Sequence, residues 1–154
     1  MSNKNSWYRN RILWSANKQL SSQHSCFIYP NIPDVYREHI HGADNLDFSG
    51  NYVIVPNFIP LITMWGNRFL WTFVSESEIH SCYLNKRSHV KLADLRSEIK
   101  LVHEPDASQI EIKFKTSKLI VDDKGSSVWA PPGPPLYALL NILQMIGKIN
   151  KTSS

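Results

Sequence analysis

The feature that most constrains the fold is a proline cluster followed by a long apolar segment. Pro131, Pro132, Pro134 and Pro135 lie within five consecutive positions. Proline lacks a backbone N–H and has a fixed φ, so the cluster interrupts any strand or helix that reaches it. Because proline is well suited to the first turn of a helix, the cluster also predicts a helix that begins at about residue 134.

The segment after the prolines predicts an amphipathic helix over about 134–147. Its leucines and isoleucines recur at spacings of three and four, which place them on one helix face. Gly147 predicts the end of this helix, and residues 148–154 are expected to fray. The apolar face is broad, which indicates a helix pressed into a core or shared with a partner, either another protein or a second copy of this chain. The residues assigned to this partner surface, provided that they stay exposed, are Leu136, Tyr137, Ile142, Met145 and Ile149.

The string Pro134-Pro135-Leu136-Tyr137 also matches the PPxY ligand of WW domains, which bind chain in the polyproline II conformation. If Leu136 and Tyr137 are helical, that motif is not available. We therefore favour the helix start over the WW ligand.

Two more helices are predicted in the first third of the chain. Over about 6–20, four apolar residues recur at four-residue spacing, with Ser6 as the expected N-cap. A shorter helix is expected at about 34–41, after a proline-rich turn. The four apolar residues of the first helix are Tyr8, Ile12, Ala16 and Leu20.

Strands are predicted over about 51–130, where β-branched and aromatic residues are bounded by Pro, Gly and Asn. Gly66-Asn67 suits a two-residue hairpin loop. Residues 89–96 fit neither a strand nor a helix period cleanly, so a short strand or a helical turn is expected there, whereas 97–121 alternates clearly and predicts a meander. The strand segments are 52–55, 61–65, 69–74, 78–84, the alternating stretch 97–121, and 127–129 after a turn at 122–125.

These segments predict a single α+β domain over 1–154. We expect an N-terminal helix, about six to eight antiparallel strands in a curled sheet or small barrel, and a C-terminal amphipathic helix packed on it. A chain of 154 residues is long enough for an ordinary core without disulfides or metals to staple it.

Charge and composition indicate the class of partner and the compartment. The formal net charge of +4 favours anionic partners. No apolar run approaches the roughly 20 residues of a spanning helix, so no membrane partner is expected. Two cysteines do not suggest a secreted disulfide scaffold, so we favour an intracellular, cytoplasmic location. The first 33 residues lack Asp and Glu and are rich in Ser, which makes a mitochondrial presequence the alternative.

Basic residues interleaved with aromatic residues predict contact with nucleic acid, because cations neutralise phosphate and exposed rings stack on unpaired bases. The leading function is a non-enzymatic binding or assembly module that engages RNA or single-stranded DNA. The alternative is a protein–protein adaptor or structural subunit, and the third is a metal-dependent nuclease. No catalytic residue, cofactor or metal ligand is assigned. The residues assigned to nucleic-acid binding are Arg9, Arg11, Trp14, Lys86, Arg87 and Lys91.

Two His-x-Cys triplets, His24-Ser25-Cys26 and His80-Ser81-Cys82, suggest a zinc site. In extended chain, residues two apart project from one face, so two neighbouring strands would present two imidazoles and two thiolates to one ion. The spacing is not that of an established zinc module. We therefore favour buried cysteines beside ordinary histidines, and leave open whether the four residues converge.

Pro105-Asp106 followed by Glu111-Ile112-Lys113 resembles the PD…ExK signature of metal-dependent nucleases, whose two carboxylates hold a divalent cation. Only four residues separate Asp106 from Glu111, which is short for bringing both carboxylates to one metal. A turn leading into an amphipathic strand is the favoured interpretation.

Overall fold

A computed structural model describes residues 2–41, 49–51, 53–54, 57–84, 86–96, 98–102, 106, 108, 117–122 and 124–153. Within these residues lie three α-helices and eight strands, which confirms the α+β prediction. The strands form two antiparallel sheets, one of five strands and one of three, and the described residues do not close either sheet into a barrel. The elements are α1 (Ser2–Gln19), β1 (Cys26–Ile28), α2 (Asp34–His41), β2 (Ile62–Asn67), β3 (Leu70–Val74), β4 (Glu78–Tyr83), β5 (Lys86–Lys91), a 3-10 turn (Leu92–Asp94), β6 (Lys100–Leu101), β7 (Lys118–Ile120), β8 (Ser127–Trp129) and α3 (Pro134–Ser153).

The five-stranded sheet runs in the order β1-β2-β3-β4-β5, so each strand pairs with its neighbour in sequence. Side chains alternate between its two faces. One face carries Ile62, Val74, Ile79 and Val90, which pack in the main core with the second sheet, α1 and α3. The other face is partly covered by α2 and by residues 54 and 58, which form a smaller core with its aromatic side chains.

The second sheet joins the first through buried hydroxyl groups. The Ser81 hydroxyl oxygen on β4 accepts a 2.8 Å hydrogen bond from the backbone N–H of Trp129 on β8. The Thr72 hydroxyl on β3 donates to the Trp129 carbonyl, and the Thr72 and Ser81 oxygens lie 2.8 Å apart. Two hydroxyl side chains therefore satisfy the backbone polar groups of Trp129 where main-chain pairing ends.

The packing of α1 confirms the four-residue spacing. Tyr8, Ile12, Ala16 and Leu20 are all buried. The helix begins earlier than predicted, at Ser2, so the expectation that Ser6 caps it was wrong.

The predicted end of the C-terminal helix at Gly147 was also wrong, because α3 continues to Ser153. Its last turns dock on the 3-10 turn through Asn150, which is buried. The Asn150 amide nitrogen donates to the carbonyl oxygens of Leu92, at 2.7 Å, and Leu95, at 3.1 Å. Tertiary hydrogen bonds thus hold a segment that local signals predicted to fray.

The β2–β3 hairpin turns later than Gly66-Asn67. Asn67 pairs with Leu70, so the two-residue loop is Arg68-Phe69, and the register shifts at Gly66. The Asn67 side-chain oxygen accepts a 2.8 Å hydrogen bond from the Phe69 N–H, which stabilises the tighter turn.

Other strand predictions had mixed outcomes. β4 and the β7–β8 hairpin confirm the predicted strands there. For 89–96, where a short strand or a helical turn was expected, the structure has both: β5 extends from Lys86 to Lys91, beginning three residues earlier than expected, and the 3-10 turn follows. The described part of the predicted strand 52–55 bends instead. Most of the predicted 104–115 hairpin lies outside the described residues.

Candidate functional site

The β2–β3 and β4–β5 turns lie at one end of the five-stranded sheet, because Leu70 at the start of β3 pairs with Tyr83 at the end of β4. Two large apolar side chains are exposed there, Phe69 at 45% and Leu84 at 64%. Leu84 has a positive φ of 50°, which the tight β4–β5 turn requires. We call this end the turn end and define it by Arg68, Phe69, Tyr83, Leu84, Lys86, Arg87 and Lys118.

Three cations of the turn end lie over aromatic rings. Such pairs keep a charged side chain extended along an apolar surface with its head group close to water. The pairs are Arg68 with Phe69, at 5.2 Å from the ring centroid, Arg87 with Trp71, at 4.9 Å, and Lys118 with Tyr83, at 4.9 Å.

The segments that build the turn end contain no Asp or Glu. These segments are 61–74, 79–91, 117–121 and 126–130. Lys86, paired with Tyr83 across the hairpin, is exposed and adds a fourth cation. These segments therefore make the described part of the turn end basic, and Phe69 adds an exposed aromatic ring to it.

A second cluster lies on the face that carries Arg87, on the paired strands β4 and β5 and farther from the turn end. Oε1 and Oε2 of Glu78 lie 2.9 Å from Nε2 of His80 and 3.0 Å from Nε2 of His89, respectively. His80 and His89 are directly opposite on β4 and β5. Their rings stack with centroids 4.3 Å apart and an angle of 5° between the ring planes. The buried His80 ring is also held by the Phe58 ring, at 5.3 Å.

The environment of this cluster changes the pKa values of two of its members. Burial lowers the pKa of His80, and the hydrogen bond to Glu78 offsets only part of that effect. Partial burial acts to raise the pKa of Glu78, but hydrogen bonds from His80 and His89 outweigh it, and the net pKa is lowered. At neutral pH the cluster therefore holds a carboxylate that accepts an N–H from a neutral His80 ring.

The structure separates the basic residues that the sequence grouped together. Arg9 lies over Tyr29, which follows β1, and Arg11 lies over Trp7 within α1. β1 and β5 are the two outermost strands of the sheet, about 19 Å apart at roughly 4.8 Å per strand. Trp14 is 62% exposed on α1 and does not join the turn end.

Along β5, the predicted cations also divide. Lys86 and Arg87 lie at the turn end, whereas Lys91 pairs in register with the acidic Glu78 at the opposite end of the strand. Arg87 and Lys91 are four positions apart on the strand, about 13 Å of chain. Of the six residues assigned to nucleic-acid binding, only Lys86 and Arg87 thus belong to the turn end.

The residues assigned to a partner surface on α3 also have different environments. Leu136 and Ile142 are buried in the main core of this chain. Tyr137, Met145 and Ile149 are partly exposed, and the Met145 sulfur lies 4.0 Å from the Ser15 hydroxyl of α1. Because Pro134 to Tyr137 form the first turn of α3, the PPxY string is not in the polyproline II conformation.

The two His-x-Cys triplets do not converge on one ion. Cys26 packs in the main core and Cys82 in the smaller core, on opposite faces of the sheet. Two strands separate β1 from β4. Burial raises the pKa of the Cys26 thiol to about 11, which disfavours the thiolate that zinc requires.

Of the two carboxylates in the PD…ExK string, Asp106 is exposed, and Glu111 lies outside the described residues.

Sequence reasoning missed Arg68, Phe69 and Lys118 at the turn end, and the cluster of Glu78 with His89. The signal for the cluster was present. In a regular antiparallel hairpin the residue numbers of every opposite pair add up to the same value. Because Tyr83 pairs with Lys86 across the turn, His80 lies opposite His89. Using that signal required recognising the polar segment KRSHVK as a strand.

A cleft of about 500 Å³ lies between α2 and residues 57–60. Its lining is mostly apolar, and Phe58 separates it from His80. Its charged lining residue, Arg37, lies 3.5 Å from Asp34 in an ion pair.

None of the described helices is both long and apolar enough to cross a bilayer. Comparison of the chain with protein-family models, with curated proteins and with solved structures gave no match.

Proposed function

We propose that the protein is a non-enzymatic binding module whose turn end engages single-stranded nucleic acid, either RNA or single-stranded DNA. The observation that carries this proposal is the set of cations held on aromatic rings, on strand and turn segments (61–74, 79–91, 117–121 and 126–130) whose sequence contains no Asp or Glu, beside the exposed ring of Phe69.

The cations supply the attraction. Lysine and arginine side chains neutralise backbone phosphates and release condensed counterions. Lys86 and Arg68 are exposed, and Arg87 and Lys118 are partly exposed. The ring contacts of Arg68, Arg87 and Lys118 reduce the side-chain freedom that binding must otherwise restrict.

The exposed ring of Phe69 supplies the preference for single strands. A phenyl face stacks on a base only where that base is not already stacked inside a duplex. The Arg68 guanidinium, over the same ring, adds a second planar group beside it. Because every base has a π-face, we expect weak sequence preference.

The test is fluorescence anisotropy with labelled oligo-U and oligo-dT, and with a duplex of mixed sequence, at two salt concentrations. The wild-type chain is expected to bind the single strands more tightly than the duplex. Affinity should fall with salt, with a log–log slope of about −0.7 per phosphate contacted. No binding at the lower salt concentration would overturn the proposal.

Variants locate the surface. The double variant Arg68→Ala, Lys86→Ala removes two exposed cations and should weaken binding and make the salt slope shallower by about 1 to 2. The matched control is Arg9→Ala, Arg11→Ala on α1, which removes the same charge away from the turn end and should keep the slope. If the control pair weakens binding and the turn-end pair does not, the surface lies on α1 and the turn end is excluded.

A further inference from the structure

We propose that Glu78, His80 and His89 form a binding site for one divalent transition-metal ion, with Zn²⁺ as the ion best suited to them. This site is separate from the turn end, so neither proposal depends on the other.

The donor atoms lie close enough that a modest side-chain movement would bring them to one metal ion. Zinc binds imidazole nitrogen and carboxylate oxygen at about 2.0–2.2 Å, so neighbouring ligand atoms around one ion lie roughly 3.0–3.5 Å apart. The two Nε2–Oε separations are 2.9 and 3.0 Å. One ligand atom from each residue lies within 4.8 Å of the other two. The carboxylate therefore holds the two Nε2 atoms on the same side of the sheet, each beside one of its oxygens.

One ligand must turn when the ion binds. The lone pair of an imidazole nitrogen lies in the ring plane, and two rings stacked at 5° cannot both direct lone pairs at the same ion. His89 is the residue free to rotate, because it lies on the last strand of the sheet with a side chain 47% exposed. The His80 side chain is 5% exposed and is held by Phe58. His80 is thus the ligand that stays in place, and His89 is the ligand whose ring rotates to complete the coordination of the ion.

The donor set selects the class of ion. Two imidazoles and one carboxylate suit Zn²⁺ and its transition-metal neighbours, whereas Ca²⁺ and Mg²⁺ take oxygen ligands. Each Nε2 gives up its proton on binding, and each neutral ring then carries its proton on Nδ1. Three protein ligands leave a fourth position, which water can reach because the Glu78 side chain is 23% exposed.

The experiment uses the full chain, treated with chelator and then dialysed. Calorimetric titration should give one Zn²⁺ per chain and no heat of binding for Mg²⁺. Co²⁺ should add visible absorption bands of a nitrogen- and oxygen-liganded ion. The His89→Gln variant should weaken Zn²⁺ binding at least about tenfold, since it removes one of three ligands.

The matched control is His24→Gln, which removes an exposed histidine far from the cluster and should leave the affinity unchanged. Circular dichroism of both variants checks that they fold, and His89→Gln should fold because it lies on an exposed position of β5. Absence of Zn²⁺ binding in the wild-type chain, or equal affinity in the wild-type and His89→Gln chains, would refute the metal site. Nucleic-acid binding is measured separately on the chelator-treated chain, so neither result bears on the proposed function of the turn end.

Discussion

The Tyr8 hydroxyl donates a 2.6 Å hydrogen bond to the side-chain oxygen of Asn150, joining α1 to the last turns of α3 across 142 positions of sequence. The amide nitrogen of the same Asn150 donates to two carbonyl oxygens of the 3-10 region, at Leu92 and Leu95. One buried side chain therefore connects both terminal helices to the end of the five-stranded sheet.

Replacing Asn150 with alanine should destabilise the protein by about 2–4 kcal/mol, because the buried Tyr8 hydroxyl and two backbone carbonyls each lose a partner. Urea denaturation measures the change. The control is Asn141→Ala on the exposed side of the same helix, which should change the unfolding free energy by no more than about 0.5 kcal/mol. Similar losses in both variants would contradict the role given to Asn150.

Introducing a side chain at Gly66 should also destabilise the fold. An added Cβ would lie 3.1 Å from the Trp129 ring and 3.2 Å from Cβ of Leu70. Trp129 is 4% exposed and wedged against β3 and β4, so it has little room to move. We expect Gly66→Ala to cost about 1–3 kcal/mol, the usual range for overpacking. In a Trp129→Leu background the cost should shrink, and thermal denaturation of the four chains of this cycle measures the coupling.

Acid should weaken the β7–β8 turn at Asp122. Slight burial acts to raise the pKa of this carboxyl, but hydrogen bonds from Ser126 and Lys124 outweigh it and lower the pKa from its ordinary 3.8. A lowered pKa contributes stability above pH 3.8 that is lost as pH falls through the folded value. Asp122→Ala should therefore cost up to about 1 kcal/mol at neutral pH and less in acid, where the protonated carboxyl keeps an acceptor oxygen but no charge.

The comparison for that prediction is Asp122→Asn, which keeps an acceptor oxygen but cannot ionise. Denaturant midpoints measured from neutral to acid pH should show a pH-dependent gap between wild type and Asp122→Ala. The gap between Asp122→Asn and Asp122→Ala should stay constant. If the difference in midpoint between the wild type and Asp122→Ala is as large at pH 2 as at neutral pH, the charge does not contribute.

The thiol of Cys26 should resist modification in the native protein. It is buried, and its pKa of about 11 leaves almost no thiolate at pH 8. Alkylation followed by peptide mapping should show modification of Cys26 in denaturant and very little without it. A cysteine introduced at the exposed Ser22 of the same segment should react rapidly under native conditions. Equal native rates at the two positions would exclude the buried environment described for Cys26.

Removing the exposed ring of Phe69 should reduce affinity for single-stranded nucleic acid without unfolding the protein. Base stacking on an aromatic side chain contributes about 1–3 kcal/mol per base. Phe69→Ala should therefore weaken the binding free energy by about 1–3 kcal/mol, which is measured as a higher Kd. Trp14→Ala is the matched control, since Trp14 is an exposed aromatic residue outside the turn end. Loss of binding in the Trp14 variant alone would transfer the stacking surface to α1.

Local patterns predicted the elements whose own residues determine them. The spacing of Tyr8, Ile12, Ala16 and Leu20 predicted the buried face of α1, and the proline cluster predicted where α3 begins. The extent of α3 was not predictable, because its last turns are held by the carbonyls of Leu92 and Leu95. Those partners are more than 50 residues away in sequence.

The candidate sites were harder to predict because they depend on register. The segment Lys86–Lys91 is too polar to resemble a strand, yet its pairing with β4 brings His89 to His80 and Glu78. At the turn end, Lys118 reaches Tyr83 only because β7 and β8 pack as a sheet on β3 and β4. Charge density along the chain grouped Lys91 with Arg87, but strand geometry separates them.

The strand order of the larger sheet has a consequence for folding kinetics. β2 to β5 pair with their sequence neighbours through short turns, so this meander of residues 62–91 has low contact order and can form with little loop-closure entropy. The α1–α3 contacts span most of the chain and form against a larger entropy cost. We therefore expect φ-values to be highest at β3–β4 pairs such as Thr72 and Ser81 and lowest at the helix pair, with the helices docking after the rate-limiting step.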